Sequence, residues 1–221
     1  MYRRYLAFVL LALVGAVSFS FFDLQISENL LARLDPVHIQ IAEIVTKIGD
    51  GKPFVVLVML MVIMGEFLTR KPIRQEWIDS RALRHYGYFC AIALLITGVT
   101  VLTLKWGIGR SRPDLWFDAQ VFGFLPFSLE SAYDYKSFPS GHSQTAFTVA
   151  FLLSCVLPSR AKFLLFLLAG CVAFSRVVLS EHWLADVIFG SLIGYGIPAY
   201  LYYHAGRPDF KLLRFRNPRT A

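Results

Sequence analysis

The chain has 221 residues, of which 56% are hydrophobic and only 17% charged, and its mean hydropathy is +0.55. That is too little polar surface to cover a water-soluble globule, so an ordinary soluble enzyme is excluded and a chain built for a bilayer is expected. The net charge of +7 would suggest nucleic-acid binding in a soluble protein; here the placement of the basic residues along the chain matters more than their sum, and no nucleic-acid partner is expected.

The N-terminal stretch "MYRRYLAFVLLALVGAVSFSFF" sets Arg3 and Arg4 before an apolar run that continues to Phe22. It resembles a signal peptide but lacks a small-x-small cleavage site, and it reads as a retained first helix. With this run at 5–22, further runs at 53–68, 86–104, 143–157, 161–179 and 184–203 make six candidate crossings of a hydrocarbon layer ~30 Å thick. The second and fourth are short and should extend into their flanks. Between the first and second runs, Leu30, Leu34, Val37, Ile41, Ile44 and Ile48 recur at helical spacing. Asp35 followed by Pro36 can start a helix there and Gly49 can end it. Amphipathic helices along the outer interface are expected, and a cap packed on the bundle fits the same pattern equally well.

Cys90, Cys155 and Cys171 fall in apolar runs without metal or disulfide spacing and read as small hydrophobes. No repeat, linker or low-complexity tract divides the chain. The expected fold class is all-α: an integral membrane bundle of six transmembrane helices with outer-face amphipathic helices, in a single domain over 1–221.

Orientation follows from lysine and arginine, which cytoplasmic flanks keep in excess. With the N-terminus inside, 14 of the 22 basic residues lie on inner flanks, including Lys71, Arg74, Arg207, Lys211, Arg214, Arg216 and Arg219. Eight fall outside. Both termini are therefore expected in the cytoplasm, and the loops 23–52, 105–142 and 175–183 on the outer face.

That topology gathers polar residues at one membrane face. Lys105 ends the third run and is followed by "WGIGRSRP", which carries Arg112 and Pro113. "FPSGHS" puts Ser140, Gly141 and His142 at the start of the fourth, and "FSRVVLSEHWLAD" puts Arg176 at the end of the fifth with His182 and Asp186 at the start of the sixth. Singly, each has an ordinary explanation. Lys105 or Arg176 alone would be an interfacial side chain snorkelling to head groups. "PSGH" alone is a turn and helix cap, and His182 with Asp186 alone is an i, i+4 pair on one helical face.

Together they make one chemistry. Three cations, Lys105, Arg112 and Arg176, match the anionic oxygens of a phosphoryl group. Backbone N–H groups around Ser140, Gly141 and His142 open a helix, where an anion is favoured, and Gly141 lets the backbone approach it. Asp186 can accept one imidazole N–H of His182 and leave the other nitrogen free to attack phosphorus. His142, on a different helix, remains to protonate the leaving oxygen. No carboxylate or histidine cluster for a metal is apparent, and no cofactor is expected.

These residues carry a family resemblance. "KWGIGRSRP" fits Lys-x6-Arg-Pro, "PSGH" fits as it stands, and "SRVVLSEHWLAD" fits Ser-Arg-x5-His-x3-Asp. Three such motifs in this order resemble the type 2 phosphatidic acid phosphatase superfamily, which also includes vanadium haloperoxidases. The resemblance implies a metal-independent phosphatase with a phosphohistidine intermediate. In it His182 would be the nucleophile, Asp186 its orienting partner and His142 the general acid; Lys105, Arg112, Ser140, Gly141 and Arg176 would bind phosphate.

The expected substrate is a lipid phosphate or pyrophosphate held in the bilayer of a bacterial inner membrane and approached from its outer, periplasmic face. A phospholipid, lipid A and a polyprenyl pyrophosphate are the candidates, with a lean to lipid A or a similar envelope lipid by analogy alone. Phosphotransfer to another lipid would use the same intermediate. A transporter or non-catalytic scaffold is the reading from another class; it would favour charge near mid-depth of several helices, whereas the charges here gather at helix ends. Gly190 and Gly194 are spaced for close helix approach and read as packing. The aromatics of the loop before Ser140, among them Trp106, Phe122, Phe124 and Tyr133, read either as interfacial anchors or as the wall of a lipid portal.

Overall fold

In a bilayer every backbone N–H and C=O must be paired within its own segment, so long apolar runs resolve as helices. The structure, a computed structural model, describes residues 2–70, 79–128, 133–205 and 210. Lys71, Arg74, Arg207, Lys211, Arg214, Arg216 and Arg219, which enter the orientation argument, lie outside the described residues. Nine α-helices are found among the described residues: α1 (Tyr2–Val17), α2 (Asp23–Leu31), α3 (Pro36–Thr46), α4 (Gly51–Arg70), α5 (Ser80–Ile108), α6 (Pro113–Ala119), α7 (Gly141–Val156), α8 (Ser159–Val178) and α9 (Leu184–His204). No strand is present among them beyond an isolated antiparallel bridge between Arg110 and Phe124.

The runs Pro36–Arg70, Ser80–Ile108, Ser159–Val178 and Leu184–His204 are long and apolar enough to cross a membrane. Large apolar side chains on them, among them Val55, Leu60, Ile63, Leu95, Leu102 and Phe163, face outward, which water would not tolerate over so wide a belt. The chain is an integral membrane protein. α1 and α7 have 16 residues each, which is about 24 Å of helix and less than a full hydrocarbon core.

The first expected span does not stop at Phe22. A π-helical turn, Ser18–Phe22, carries α1 directly into α2, so the segment read as an outer loop from residue 23 starts as helix. Its next piece matches the pattern more closely: Asp35 is the N-cap of α3 with Pro36 at the first helical position, and a 3-10 turn closes at Gly49. On α3, Val37, Ile41 and Ile44 are exposed while Ala42 is buried, and the helix packs on α8.

α7 is the centre of the bundle and packs against α9, α8, α5 and α4. Small residues allow this: Ala146 and Ala150 meet Ala169 and Val172 of α8. At Gly190 and Gly194 a Cβ would lie 2.4 Å from the Ser140 carbonyl oxygen and 2.2 Å from that of Gln144, so α7 and α9 touch backbone to backbone. Polar side chains tie the same contact. Gln144 donates to Thr97 (2.7 Å) and Thr148 (3.1 Å), and Thr148 donates to the Gly194 carbonyl (3.1 Å).

The antiparallel order brings one end of each long run together. Asp23, just beyond α1, accepts from the backbone N–H of Ala185 at the start of α9 (3.0 Å). Gly51 at the start of α4 lies against Thr145, and Gly49 just before it against His142. The ends of α5 and α8 and the starts of α7 and α9 complete this end of the molecule, and the polar residues sit there.

Candidate active site

α5 ends because Gly109 adopts a left-handed conformation (φ +59°), donating to the Lys105 carbonyl at 3.1 Å. A Cβ there would lie 2.1 Å from the Leu125 carbonyl oxygen, so the turn needs glycine. The chain then folds over the end of the bundle, presenting Arg110 and Arg112 inward. Ser140 caps α7, its hydroxyl accepting from the Ser143 N–H (3.4 Å). Its own N–H donates to the Asp186 carbonyl (2.9 Å), locking the start of α7 to the start of α9. Among the described residues, nothing outside its own chain neighbours lies within 4 Å of where a Gly141 Cβ would stand, so the backbone there faces open space.

All eight residues singled out from the sequence lie at this end of the bundle, but their pairings differ in part from expectation. His182 and Asp186 do not share a helical face: α9 starts at Leu184, so His182 lies in the preceding loop. His182 Nδ1 is 3.7 Å from Asp186 Oδ2, beyond a hydrogen bond. The Ser137 hydroxyl, which donates to Asp186 Oδ2, stands 3.4 Å from that nitrogen. With its proton committed to the carboxylate, Ser137 offers Nδ1–H an acceptor, which favours the tautomer whose Nε2 carries the lone pair.

Asp186 is completely buried and fully engaged. Oδ2 also accepts from the Trp183 N–H (3.0 Å), and Oδ1 pairs with Arg110 Nη1 at 2.7 Å. Arg110 Nη2 pairs with Asp23 Oδ2 at 2.8 Å, and Asp23 Oδ1 accepts from Ser18 (2.6 Å). The Arg110 guanidinium is enclosed by the rings of Phe19, Phe122 and Trp183 at 4.2, 5.8 and 5.4 Å. Phe122 of the aromatic loop thus packs one side against a buried ion cluster while the ring itself stays half exposed.

The three expected phosphate cations are held from different elements. Lys105 Nζ donates to the carbonyls of Lys136 and Ser137. Arg112 Nε donates to the Tyr133 carbonyl (3.0 Å) and its guanidinium lies 3.9 Å over the Tyr133 ring. Arg176 Nη1 donates to Thr46 of α3 (2.7 Å), while its buried Nε has no acceptor among the described residues. Both arginines also pair with one carboxylate, that of Glu181. Among the described residues no group of three or more His, Cys, Asp or Glu is placed to hold a metal ion.

Burial, with Lys105, Arg112 and Arg176 nearby, pushes the His182 imidazole well below its ordinary 6.5. Between the depressed folded value and 6.5 the unfolded chain binds more protons, so stability is lost as pH falls through that window and is unaffected above it. We expect the thermal midpoint to drop as pH is lowered below 6.5, with a limiting slope of about 1.4 kcal/mol per pH unit. In His182→Gln that component should vanish; an identical pH profile in the two proteins would contradict the assignment.

Ser137, Arg110, Asp23 and Glu181 are the site residues the motif reading passed over. Arg110 and Glu181 lie inside quoted motifs, but nothing in their spacing distinguishes a buried ion-pair partner from a surface charge. Asp23 is 87 positions from Arg110, a pairing that only the folded chain brings about.

The chain is similar to known proteins in sequence and in fold. The family model of the PAP2 superfamily matches residues 85–208. The lipid A 1-phosphatase of Rhizobium etli is 31% identical over 159 residues, covering 70% of this chain and 66% of that protein. Phosphatidylglycerophosphatase B of Bacillus subtilis is 35% identical over 138 residues, 57% of this chain and 60% of that one. The chain spans less than two thirds of the length of these relatives. Among solved structures, Aquifex aeolicus LpxE superposes with a TM-score of 0.58 at 22% identity, over 80% of this chain and 93% of that one. The transmembrane PAP2-type phosphatidylglycerolphosphate phosphatase of Bacillus subtilis does so with a TM-score of 0.62 at 24% identity, over 96% of both. These two share the fold. Since the family match takes in more than half of the sequence and every motif from Lys105 to Asp186, the chain belongs to the PAP2 superfamily.

Proposed function

We propose that the protein is a metal-independent phosphatase that removes phosphate from a membrane lipid phosphate or pyrophosphate through a phosphohistidine on His182. The observation that carries this is the convergence of His182, His142, Lys105, Arg112 and Arg176 at one end of an apolar bundle, with the Nδ1 side of His182 occupied by Ser137 and Asp186. Nε2 of His182 attacks phosphorus, and the bond to the lipid oxygen breaks as His142 protonates that oxygen. Water, deprotonated by His142, then attacks the phosphohistidine and frees inorganic phosphate. Lys105, Arg112 and Arg176, with the backbone at Ser140 and Gly141, hold the phosphoryl oxygens as charge builds on them.

Six runs cross the membrane in this reading, α1 and α7 among them, with both termini in the cytoplasm and the site at the periplasmic face of a bacterial inner membrane. The excess of basic residues on the inner flanks supports the direction. The rhizobial relatives named lipid A 1-phosphatase, at 31% and 32% identity, support lipid A or a similar envelope lipid as substrate over other phospholipids and polyprenyl pyrophosphates.

The test is release of inorganic phosphate by the purified full chain in nanodiscs from lipid A, phosphatidylglycerophosphate and undecaprenyl pyrophosphate. Orthovanadate should inhibit, because its five-coordinate adduct on His182 mimics the transferring phosphoryl group. EDTA should not. Strong inhibition by EDTA, reversed by Mg²⁺, would sink the metal-independent mechanism; lipid phosphate consumed without release of inorganic phosphate would mean transfer to another lipid.

A further inference from the structure

Glu181 precedes the histidine assigned as nucleophile, and its carboxylate lies where a phosphate is expected. Its Oε2 pairs with Arg112 Nη1 and with Arg176 Nη2 (3.2 Å), and it accepts from the Tyr133 hydroxyl at 2.5 Å. One carboxylate oxygen therefore draws on three donors from three parts of the chain. The buried carboxylates of the site behave differently: Asp186 and Asp23 have side chains 0% and 3% exposed and locked by several bonds, whereas the Glu181 side chain is 29% exposed.

The backbone of Glu181 has bonds of its own, one of them from the same Arg112 Nη1 that meets the carboxylate. Its N–H donates to the Arg176 carbonyl (3.1 Å) and its C=O accepts from Arg112 (3.0 Å). The side chain can therefore swing without moving the loop that holds His182. It has somewhere to go: a cleft of ≈ 570 Å³ opens beside it, lined by Glu181, Ser180, Arg176, Thr46, Glu43 and Lys47. Lys47 gives that cleft a cation of its own.

We propose that Glu181 is an internal counter-ion of the phosphate cradle, a specificity-determining residue that occupies Arg112 and Arg176 between turnovers and competes with every anion that enters. This rests on the reading above that the two arginines hold the substrate phosphate. A phosphoryl group with several anionic oxygens displaces the single carboxylate, whereas a weaker anion does not. After hydrolysis the displaced carboxylate stands next to the bound phosphate dianion, repels it and retakes the arginines, so product leaves. Without that competitor two arginines, Lys105 and a helix start would hold inorganic phosphate tightly.

The experiment measures the inhibition constant of inorganic phosphate, with kcat and KM for a lipid phosphate, in nanodisc-embedded wild type, Glu181→Gln, Tyr133→Phe and Arg176→Ala. Glu181→Gln keeps the shape and removes the charge; its inhibition constant for phosphate should fall by about tenfold or more. KM should fall with it, while kcat stays level or drops as product release slows. Tyr133→Phe keeps the ring under Arg112 and removes one donor to Glu181, so the constant should move in the same direction by about two- to fivefold. That variant decides the matter if Glu181→Gln does not fold. An unchanged or raised inhibition constant in the folded variants, with Arg176→Ala still weakening phosphate binding, overturns the proposal alone. If Arg176→Ala leaves phosphate binding unchanged, the assigned phosphate cradle is wrong and the proposal fails with it.

Discussion

Replacing His182 with alanine is expected to abolish phosphate release, by about 10⁴- to 10⁶-fold, while the bundle stays folded. The imidazole is buried with its side chain 2% exposed, but it is held neutral, so its removal strands no charge. Ser137 keeps its bond to Asp186, and Asp186 keeps Arg110 and the Trp183 N–H. The stability loss should stay within the ordinary range of about 0.5–3 kcal/mol for a single substitution. The decisive readout is covalent. Wild type quenched during turnover of a ³²P-labelled lipid phosphate should carry acid-labile, base-stable label, as a phosphoramidate does, and His182→Ala should carry none. His142→Ala removes the proton donor rather than the attacking atom, so it should lose about 10²- to 10⁴-fold, and less with a good leaving group. Near-native activity in His182→Ala, or label retained by it, would reject the nucleophile.

What the sequence made legible was the periodic and the local. Apolar runs marked the long helices, with boundaries that shifted by a few residues, but only four of the six expected crossings are long and apolar enough to span a membrane among the described residues; Asp35-Pro36 announced the start of α3. The close approach at Gly190 and Gly194 was legible because only a missing side chain lets two backbones touch. The extent of the first helical run was not, since a π turn at Ser18–Phe22 continues the helix past the end of the apolar pattern. In the site, the motif spacing identified residues that the fold brings to one end of the bundle. It misjudged how His182 and Asp186 relate, because counting four residues assumes a helix that starts only at Leu184. Ser137 was passed over for a related reason: a serine three positions before a capping serine carries no pattern, and its position between imidazole and carboxylate depends on where the loop from α5 returns. Arg110 was counted among outer cations although it is completely buried, because burial of a charge is decided by its partners, and Asp23 and Asp186 come from opposite ends of the chain.

That cluster makes the last expectation sharp, because Arg110 and Arg112 are two residues apart and should fail in different ways. Arg110 is the cation that pairs with both Asp23 and Asp186, each buried, at 2.8 and 2.7 Å. Arg110→Met fills much of the volume between Phe19, Phe122 and Trp183 but leaves two carboxylates facing each other's field without it. Breaking a buried pair from one side costs about 3–5 kcal/mol, so a large fall in thermal midpoint and loss of activity are expected together. Lysine is a poor substitute, since one ammonium cannot present two parallel donors to carboxylates on opposite sides. Adding Asp23→Asn to Arg110→Met removes one stranded charge and should recover part of the stability. It should recover little activity, because Asp186 still lacks the partner that fixes Oδ1. Arg112→Met differs: Glu181 retains Arg176 and Tyr133, so the fold should hold while phosphate affinity and turnover fall. The measurement is thermal unfolding and phosphate release for wild type and the three variants in one detergent. Equal stability of Arg110→Met and wild type would show that the two aspartates do not depend on this arginine, and the buried chain from Asp23 through Arg110 to Asp186 would then have no part in holding the site.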